Sequence, residues 1–435
     1  MGEIWHSLPA ALQDTAIFAV LLSPLLVTSI ICLRRFAIWP LLAGLFLKHR
    51  AISSVFVILI AISIAIGTGI IAQERGLREA TARSAEKFEL IVAAPGNEIT
   101  AMLASVYLQP TSLPLLGGDI YSRVSDHELV EFATPLAFGD SWNGAPVVGT
   151  TPGFVEHLSG GLAEGRLFET TDEAVIGGRI PLGLGDTFEP VHGDGSRGIL
   201  DEHGAALSVV GVMPLTGSPW DTAIVVPVEQ VWEVHALPTG HGLDWDGRVG
   251  PPFEAENFPG TPAILVGVET LWASYALRAE FTNPETMAFF PGTVLAELHA
   301  IMGDIRQLMS VLAIASQFLV AIAVLAGLAM LSLLLARRLA LLKALGAPQR
   351  FIFAVTWSFA TLLILSGAAL GVALSFAATR VISGVITART DILVNTRLGW
   401  DELHLVAAFA SLSGLLALLP AWRASRRPVI DNLRG

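Results

Sequence analysis

Four histidines, His192, His203, His235 and His241, fall within 50 residues of one another among many carboxylates. Imidazole with carboxylate is a donor set that suits Zn²⁺. Their spacing matches no short metal motif, so the expectation is solvated or hydrogen-bonded histidines, with no metal ligand assigned. A strongly acidic surface would still attract cations weakly, without a defined site. Other chemistry is equally thin. There is no His-Glu-x-x-His and no Gly-x-Ser-x-Gly, and Gly139-Asp140-Ser141 reads as a turn. The single cysteine, Cys32, lies in an apolar stretch, which rules out an intramolecular disulfide. No Gly-x-x-x-x-Gly-Lys-Ser/Thr phosphate loop occurs, so any ATP must be bound by another chain. The chain is expected to be neither an enzyme nor a cofactor carrier.

The elements around these residues are organised by charge. The chain has 435 residues, 53% hydrophobic and only 15% charged. Twelve of its 26 Lys/Arg sit in three short segments beside apolar stretches. They are Arg34, Arg35, Lys48 and Arg50; Arg337, Arg338, Lys343 and Arg350; and Arg423, Arg426, Arg427 and Arg434. Residues 74–306 hold 11 Lys/Arg against 32 Asp/Glu, a net charge of −21. Cytoplasmic loops collect Lys and Arg, so the basic segments are expected inside and the acidic block outside. That acidity argues against nucleic acid as a partner.

A span needs roughly 20 apolar residues. Residues 1–35 contain a charge-free stretch, Thr15 to Cys32, with Glu3 and Asp14 before it and no cation. This reads as a transmembrane segment with its start outside, since a signal peptide wants a basic start. Residues 36–50 are too short to span and fit an interfacial helix on the cytoplasmic leaflet. Spans are expected at 51–73, 307–336, 351–379 and 401–421. A cytoplasmic loop at 337–350, a short outer loop at 380–400 and a cytoplasmic tail at 422–435 complete the plan. Glu74/Arg78 and Glu79/Arg83 are i,i+4 pairs that favour continuing the helix beyond the 51–73 span as a stalk. Val294 to Arg306 has helical periodicity and reads as a second stalk. Within 351–379, Gly367, Gly371 and Ser375 form a small-residue stripe that lets two helix backbones approach, within the chain or in a dimer. No charge lies well inside a span, which argues against a transporter with a polar midplane site.

The outer block, 74–306, reads as a mixed α/β domain. Phe88–Ala94 is β-like, Glu98–Leu108 helical, and short Val/Ile runs recur at 146–149, 174–177, 207–212, 223–228 and 263–268. Residues 236–262, rich in Gly, Pro and Asp, are expected to form a long exposed loop.

The run from Arg337 through Arg338, Lys343, Ala344, Leu345, Gly346, Ala347 and Pro348 to Arg350 resembles the cytoplasmic loop of MacB/FtsX-like ABC transporter permeases. The closing run from Pro420-Ala421-Trp422-Arg423 to Pro428-Val429 and Leu433-Arg434 is similar to that family's C-terminal motif. Gly149-Thr150-Thr151, Glu164-Gly165-Arg166-Leu167-Phe168, Glu173-Ala174-Val175-Ile176-Gly177 and Val209-Val210-Gly211-Val212 resemble its periplasmic core domain in order. The resemblance extends over about residues 36–435. It implies an α-helical membrane protein with four core spans and a large mixed α/β extracytoplasmic domain in a bacterial inner membrane. It further implies a permease subunit with a separate cytoplasmic ABC ATPase, a second permease copy, and a periplasmic adaptor or substrate-binding protein. Arg337, Arg338, Lys343, Ala344, Leu345, Gly346, Ala347 and Arg350 would then couple to the ATPase. Two departures stand out: Arg338 replaces the family's usual Glu, and the 15–33 stretch adds to the four-span plan.

The coupling reading has a physical basis. A short basic amphipathic helix at the membrane face can occupy a groove of a partner. Gly346 ends it, and Pro348 blocks its continuation. The expected function is ATP-driven movement of the periplasmic domain for export or extraction of a substrate. The alternatives are an FtsX-like regulator of a cell-wall hydrolase and a metal-related transporter subunit.

Overall fold

The computed structural model describes residues 8–34, 36–193, 206–334 and 336–426. His203, Arg35, Arg427, Arg434 and most of the closing motif lie outside the described residues, as do the side chains of Arg337 and Arg338. The chain divides into two compact units. One holds the described residues up to Gly76, Gly303–Ser383, and Asn395 onward; the other holds Leu77–Met302 and Gly384–Val394.

The first unit is helical. Among the described residues, Ala10–Leu33, Arg50–Ala85, Gln349–Thr390 and Trp400–Arg426 are long and apolar enough to cross a membrane. The expected 307–336 span falls on the helix Pro291–Leu334, within which Ile314–Gly327 is a shorter apolar stretch. Residues 36–50 contain the short helix Trp39–Lys48. The Ala10–Leu33 helix docks on the last one. Leu25 covers Gly414, Ser411 donates to the Leu21 carbonyl at 2.6 Å, and His404 Nε2 meets the Asp14 carbonyl at 2.9 Å. Its other face exposes Val20, Val27, Ile30 and Ile31.

The 380–400 segment is not a loop throughout. The helix runs on to Thr390 and ends where Asp391 takes a left-handed conformation, φ 57°. Arg380–Arg389 contains no proline, its one glycine, Gly384, is tolerated within the helix, and Arg389 in the last turn suits the C-terminal dipole.

The second unit is built on two sheets. Their strands are β1 (Leu90–Ala93), β2 (Phe132–Pro135), β3 (Ala137–Trp142), β4 (Ala145–Thr150), β5 (Glu164–Gly165), β6 (Glu173–Ile176), β7 (Thr187–Phe188), β8 (Val191–His192), β9 (Leu207–Val212), β10 (Ile224–Pro227), β11 (Ala263–Gly267) and β12 (Met287–Phe289). One sheet has the order β12-β1-β11-β2, all antiparallel. The other runs β5-β9-β6-β10-β4-β3-β8, with β7 also on β9. It is mixed, with parallel β10/β4 and β6/β9 pairs.

The central strands are buried on both faces, which explains their unbroken Val/Ile character. Strand alternation sends Ile91, Val175, Val225 and Leu265 into one core with Phe88, Phe154 and Trp220. Leu90, Val92, Ile176, Ile224 and Val266 enter a second with Tyr121, Trp232, Phe253 and Phe258. The 236–262 region is therefore not a freely exposed loop: Val249, Phe253 and Phe258 pin it to the core. Its polar composition hid three apolar anchors.

Candidate functional site

Two places carry the residues singled out in the sequence. In the first unit, the helix Ala336–Ala344 holds the basic segment. It closes with a Schellman pattern: Ala347 N–H donates to the Leu342 carbonyl at 3.0 Å and Gly346 N–H to that of Lys343 at 2.9 Å. Gly346 has φ +95°, and a Cβ there would meet nothing within 4 Å. Backbone conformation alone requires the glycine. Lys343 Nζ donates to the Ser425 carbonyl at 2.6 Å, which joins this segment to the helix Leu418–Arg426.

Leu339 and Ala340 are buried, whereas Leu341, Ala344 and Leu345 are exposed at i, i+3, i+4 spacing. Gly346 and Arg350 are exposed, and Ala347 is half-buried. This segment therefore presents a narrow apolar stripe, with an exposed Arg350 beyond it.

Gly367, Gly371 and Ser375 meet the Arg50–Ala85 helix of the same chain. A Cβ on Gly367 would lie 2.6 Å from Ile60 Cβ, and one on Gly371 2.7 Å from the Ala61 carbonyl oxygen. Ser375 is buried, with its Oγ 3.6 Å from the Cβ position of Gly69. The small-residue stripe is a close helix contact within the chain.

The second place is in the second unit. Asp140 and His192 face each other across the antiparallel β3/β8 pair. His235 follows the helix Val228–Val234 and reaches the same point. One donor atom from each of the three lies within 4.8 Å of the others. Gly139-Asp140-Ser141 is thus strand, not turn, with a bulge between Phe138 and Asp140 that re-aims the side chains. Of the other two histidines, His241 bonds buried Glu229 at 3.1 Å and stacks on Trp245.

Gly139, Asp140, Ser141 and Gly193 also line a cavity of about 420 Å³, together with Tyr107 and Asp391. Burial pushes the Tyr107 hydroxyl above the ordinary tyrosine range. Burial likewise raises the Asp391 carboxyl, opposed by a Thr222 hydrogen bond and Arg179. An acid raised in the folded state holds its proton more readily than the unfolded chain does. Its contribution therefore worsens as pH rises from about 3.9 through the folded value. Asp391→Asn is expected to raise Tm modestly at pH 8 and to leave it unchanged near pH 4, since asparagine also tolerates positive φ. A thermal-shift series of both proteins in detergent across this range checks the prediction. An equal shift at both ends would assign the effect to backbone conformation instead.

No family model matches the chain, and no curated protein matches it. Among solved structures, the chain is similar to the periplasmic region of MacB from Actinobacillus actinomycetemcomitans, at 12% identity over 50% of this chain and 95% of that one. The TM-score is 0.30, below what fixes a shared fold.

Proposed function

We propose that this chain is the membrane subunit of an ATP-driven machine of the MacB/FtsX permease type. ATP is bound and hydrolysed by a separate cytoplasmic ABC subunit, and the chain couples that cycle to its outer domain. The carrying observation is the 336–350 segment. It is a basic helix with Leu341, Ala344 and Leu345 exposed, a glycine-terminated end and a Lys343 tether to the last helix. A cytoplasmic helix held on two sides and apolar on its free face suits a groove on a partner. The resemblance of Arg337–Arg350 and of the closing motif to the family supports the same reading. Two copies of the permease serve two ATPase subunits, and the substrate is taken from the periplasm or outer leaflet.

Affinity purification of the tagged full-length chain in mild detergent, with mass spectrometry of what co-purifies, tests this. The wild type is expected to recover an ABC ATPase. A Leu341→Glu/Leu345→Glu variant changes only exposed side chains and should keep the wild-type Tm while losing at least about tenfold of that recovery, since anchor residues dominate such contacts. Absence of an ATPase from the wild type, or equal recovery with both proteins, would overturn the proposal.

A further inference from the structure

The Asp140–His192–His235 cluster is unexplained by the coupling reading and stands independently of it. His192 Nδ1 lies 3.4 Å from Asp140 Oδ1, His235 Nε2 lies 3.8 Å from the same oxygen, and the two ring nitrogens are 3.2 Å apart. A triangle with these sides has a circumradius of about 2.0 Å, which is the length of a Zn–N or Zn–O bond. At bond lengths of about 2.1 Å the ion would sit just off the plane of the three donors, with a fourth direction facing away from them.

The surroundings set the ring chemistry. His235 Nδ1 lies 2.6 Å from the Val231 carbonyl oxygen, one helical turn earlier. A carbonyl can only accept, so Nδ1 carries a proton and a neutral ring turns its Nε2 lone pair toward Asp140 and His192. Backbone carbonyls orient metal-bound histidines in this way. A cation placed between ring and carboxylate would take that lone pair and neutralise the carboxylate. Gly139 makes room for the ring: a Cβ there would come within 2.9 Å of His235 Cε1 and Nε2. Asp140 is buried, at 4% side-chain exposure, whereas His192 is 54% exposed. The anionic ligand is thus fixed and the site still reaches solvent.

We infer that Asp140, His192 and His235 form a binding site for a borderline divalent transition-metal cation of the Zn²⁺ class. Two nitrogens among three donors disfavour Mg²⁺ and Ca²⁺, which take oxygen ligands. Three ligands among the described residues leave a fourth position for another donor, such as water or a bound molecule. Gly139, Asp140, Ser141 and Gly193 place that site at the wall of the 420 Å³ cavity.

The test uses the full chain in detergent, with a histidine-free tag and after stripping with chelator. Isothermal titration with ZnCl₂ is expected to show one Zn²⁺ per chain at micromolar affinity, and no saturation with MgCl₂. Asp140→Asn and His235→Ala should each weaken binding at least about tenfold. Gly139→Ala should weaken it too, by displacing the ring, and His241→Ala should leave it unchanged. Co²⁺ added to the wild type should give the intense visible bands of a four-coordinate site, a readout that does not depend on any variant folding. Two results overturn the inference. One is the absence of saturable Zn²⁺ binding by the wild type at 100 micromolar, a concentration that a three-ligand site exceeds easily (about 5.5 kcal/mol of binding). The other is an unchanged affinity in a His192→Ala/His235→Ala protein, which would assign the binding to diffuse surface carboxylates.

Discussion

Arg75→Ala is expected to destabilise the helical unit by about 3 kcal/mol, the lower end of the cost of orphaning a buried charge. Glu402 has no exposed surface. Its two oxygens meet Arg75 as a fork, Nη2 to Oε1 at 2.9 Å and Nη1 to Oε2 at 3.1 Å. Arg75 Nη2 also donates to the Arg397 carbonyl at 2.6 Å, and the Gly399 N–H donates to Glu402 Oε2 at 2.7 Å. The fork needs space: a Cβ on Gly399 would sit against the guanidinium.

Removing the arginine leaves a carboxylate that keeps one backbone donor and loses its counter-charge. Arg75 is about one-quarter exposed, so water partly replaces it and the lower end of the range applies. Glu402→Gln should cost less, because the amide oxygen can still accept from Gly399. Removing both charges, as Arg75→Leu/Glu402→Leu, should recover most of the loss, since a paired buried charge adds little over an apolar pair. Equilibrium unfolding in mixed detergent measures all four proteins. A single variant within about 1 kcal/mol of wild type would show the pair to be solvated and marginal, as surface bridges are.

How much of this was readable in advance depends on sequence separation. The strands announced themselves because Leu207–Val212 and Ala263–Gly267 are apolar and β-branched whatever they pair with. The end of the 336–344 helix was also local, since Gly346 and Pro348 restrict their own backbone. The stripe at Gly367, Gly371 and Ser375 signalled a close approach but could not name its partner, which is set by Ile60 and Ile64 some 300 residues earlier. The Arg75–Glu402 fork has the same character: each half is an ordinary residue until the fold joins residues 327 apart. The cation cluster was the hardest to see. Its ligands come from β3, β8 and a helix end, so no short spacing exists to detect. Gly-Asp-Ser has the composition of a turn, whereas in the fold it lies on a strand with a bulge beside Asp140.

Trp220→Ala should cost the sheet unit about 3–5 kcal/mol, the range for emptying a buried aromatic site. Trp220 is fully buried in the short turn Pro219–Thr222. Its ring lies edge-on to Phe154 at 5.5 Å and tilted on Phe88 at 6.2 Å, and Nε1 donates to the Val106 carbonyl at 3.2 Å. The cavity cannot close easily around it. Asp221 pins the same turn by accepting from Thr216 N–H at 2.7 Å and Gly217 N–H at 2.9 Å. Gly177 is pressed against the Trp220 and Asp221 backbone, which leaves no freedom to collapse inward. Trp220→Phe keeps most of the volume but orphans the Val106 carbonyl, and should cost about 1–3 kcal/mol.

The unit has no disulfide to limit the damage, since the only cysteine is Cys32. A domain-sized free energy of about 5–15 kcal/mol leaves little after a loss of this size. Limited proteolysis of the full chain in detergent should therefore show residues 74–306 cleaved far faster in Trp220→Ala than in wild type at 37 °C. Trp220→Phe should fall between them. Equal cleavage of Trp220→Ala and wild type would mean that the two cores stabilise the unit without this aromatic cluster. The Phe88–Phe154–Trp220 contact would then be filling space rather than holding the sheets in place.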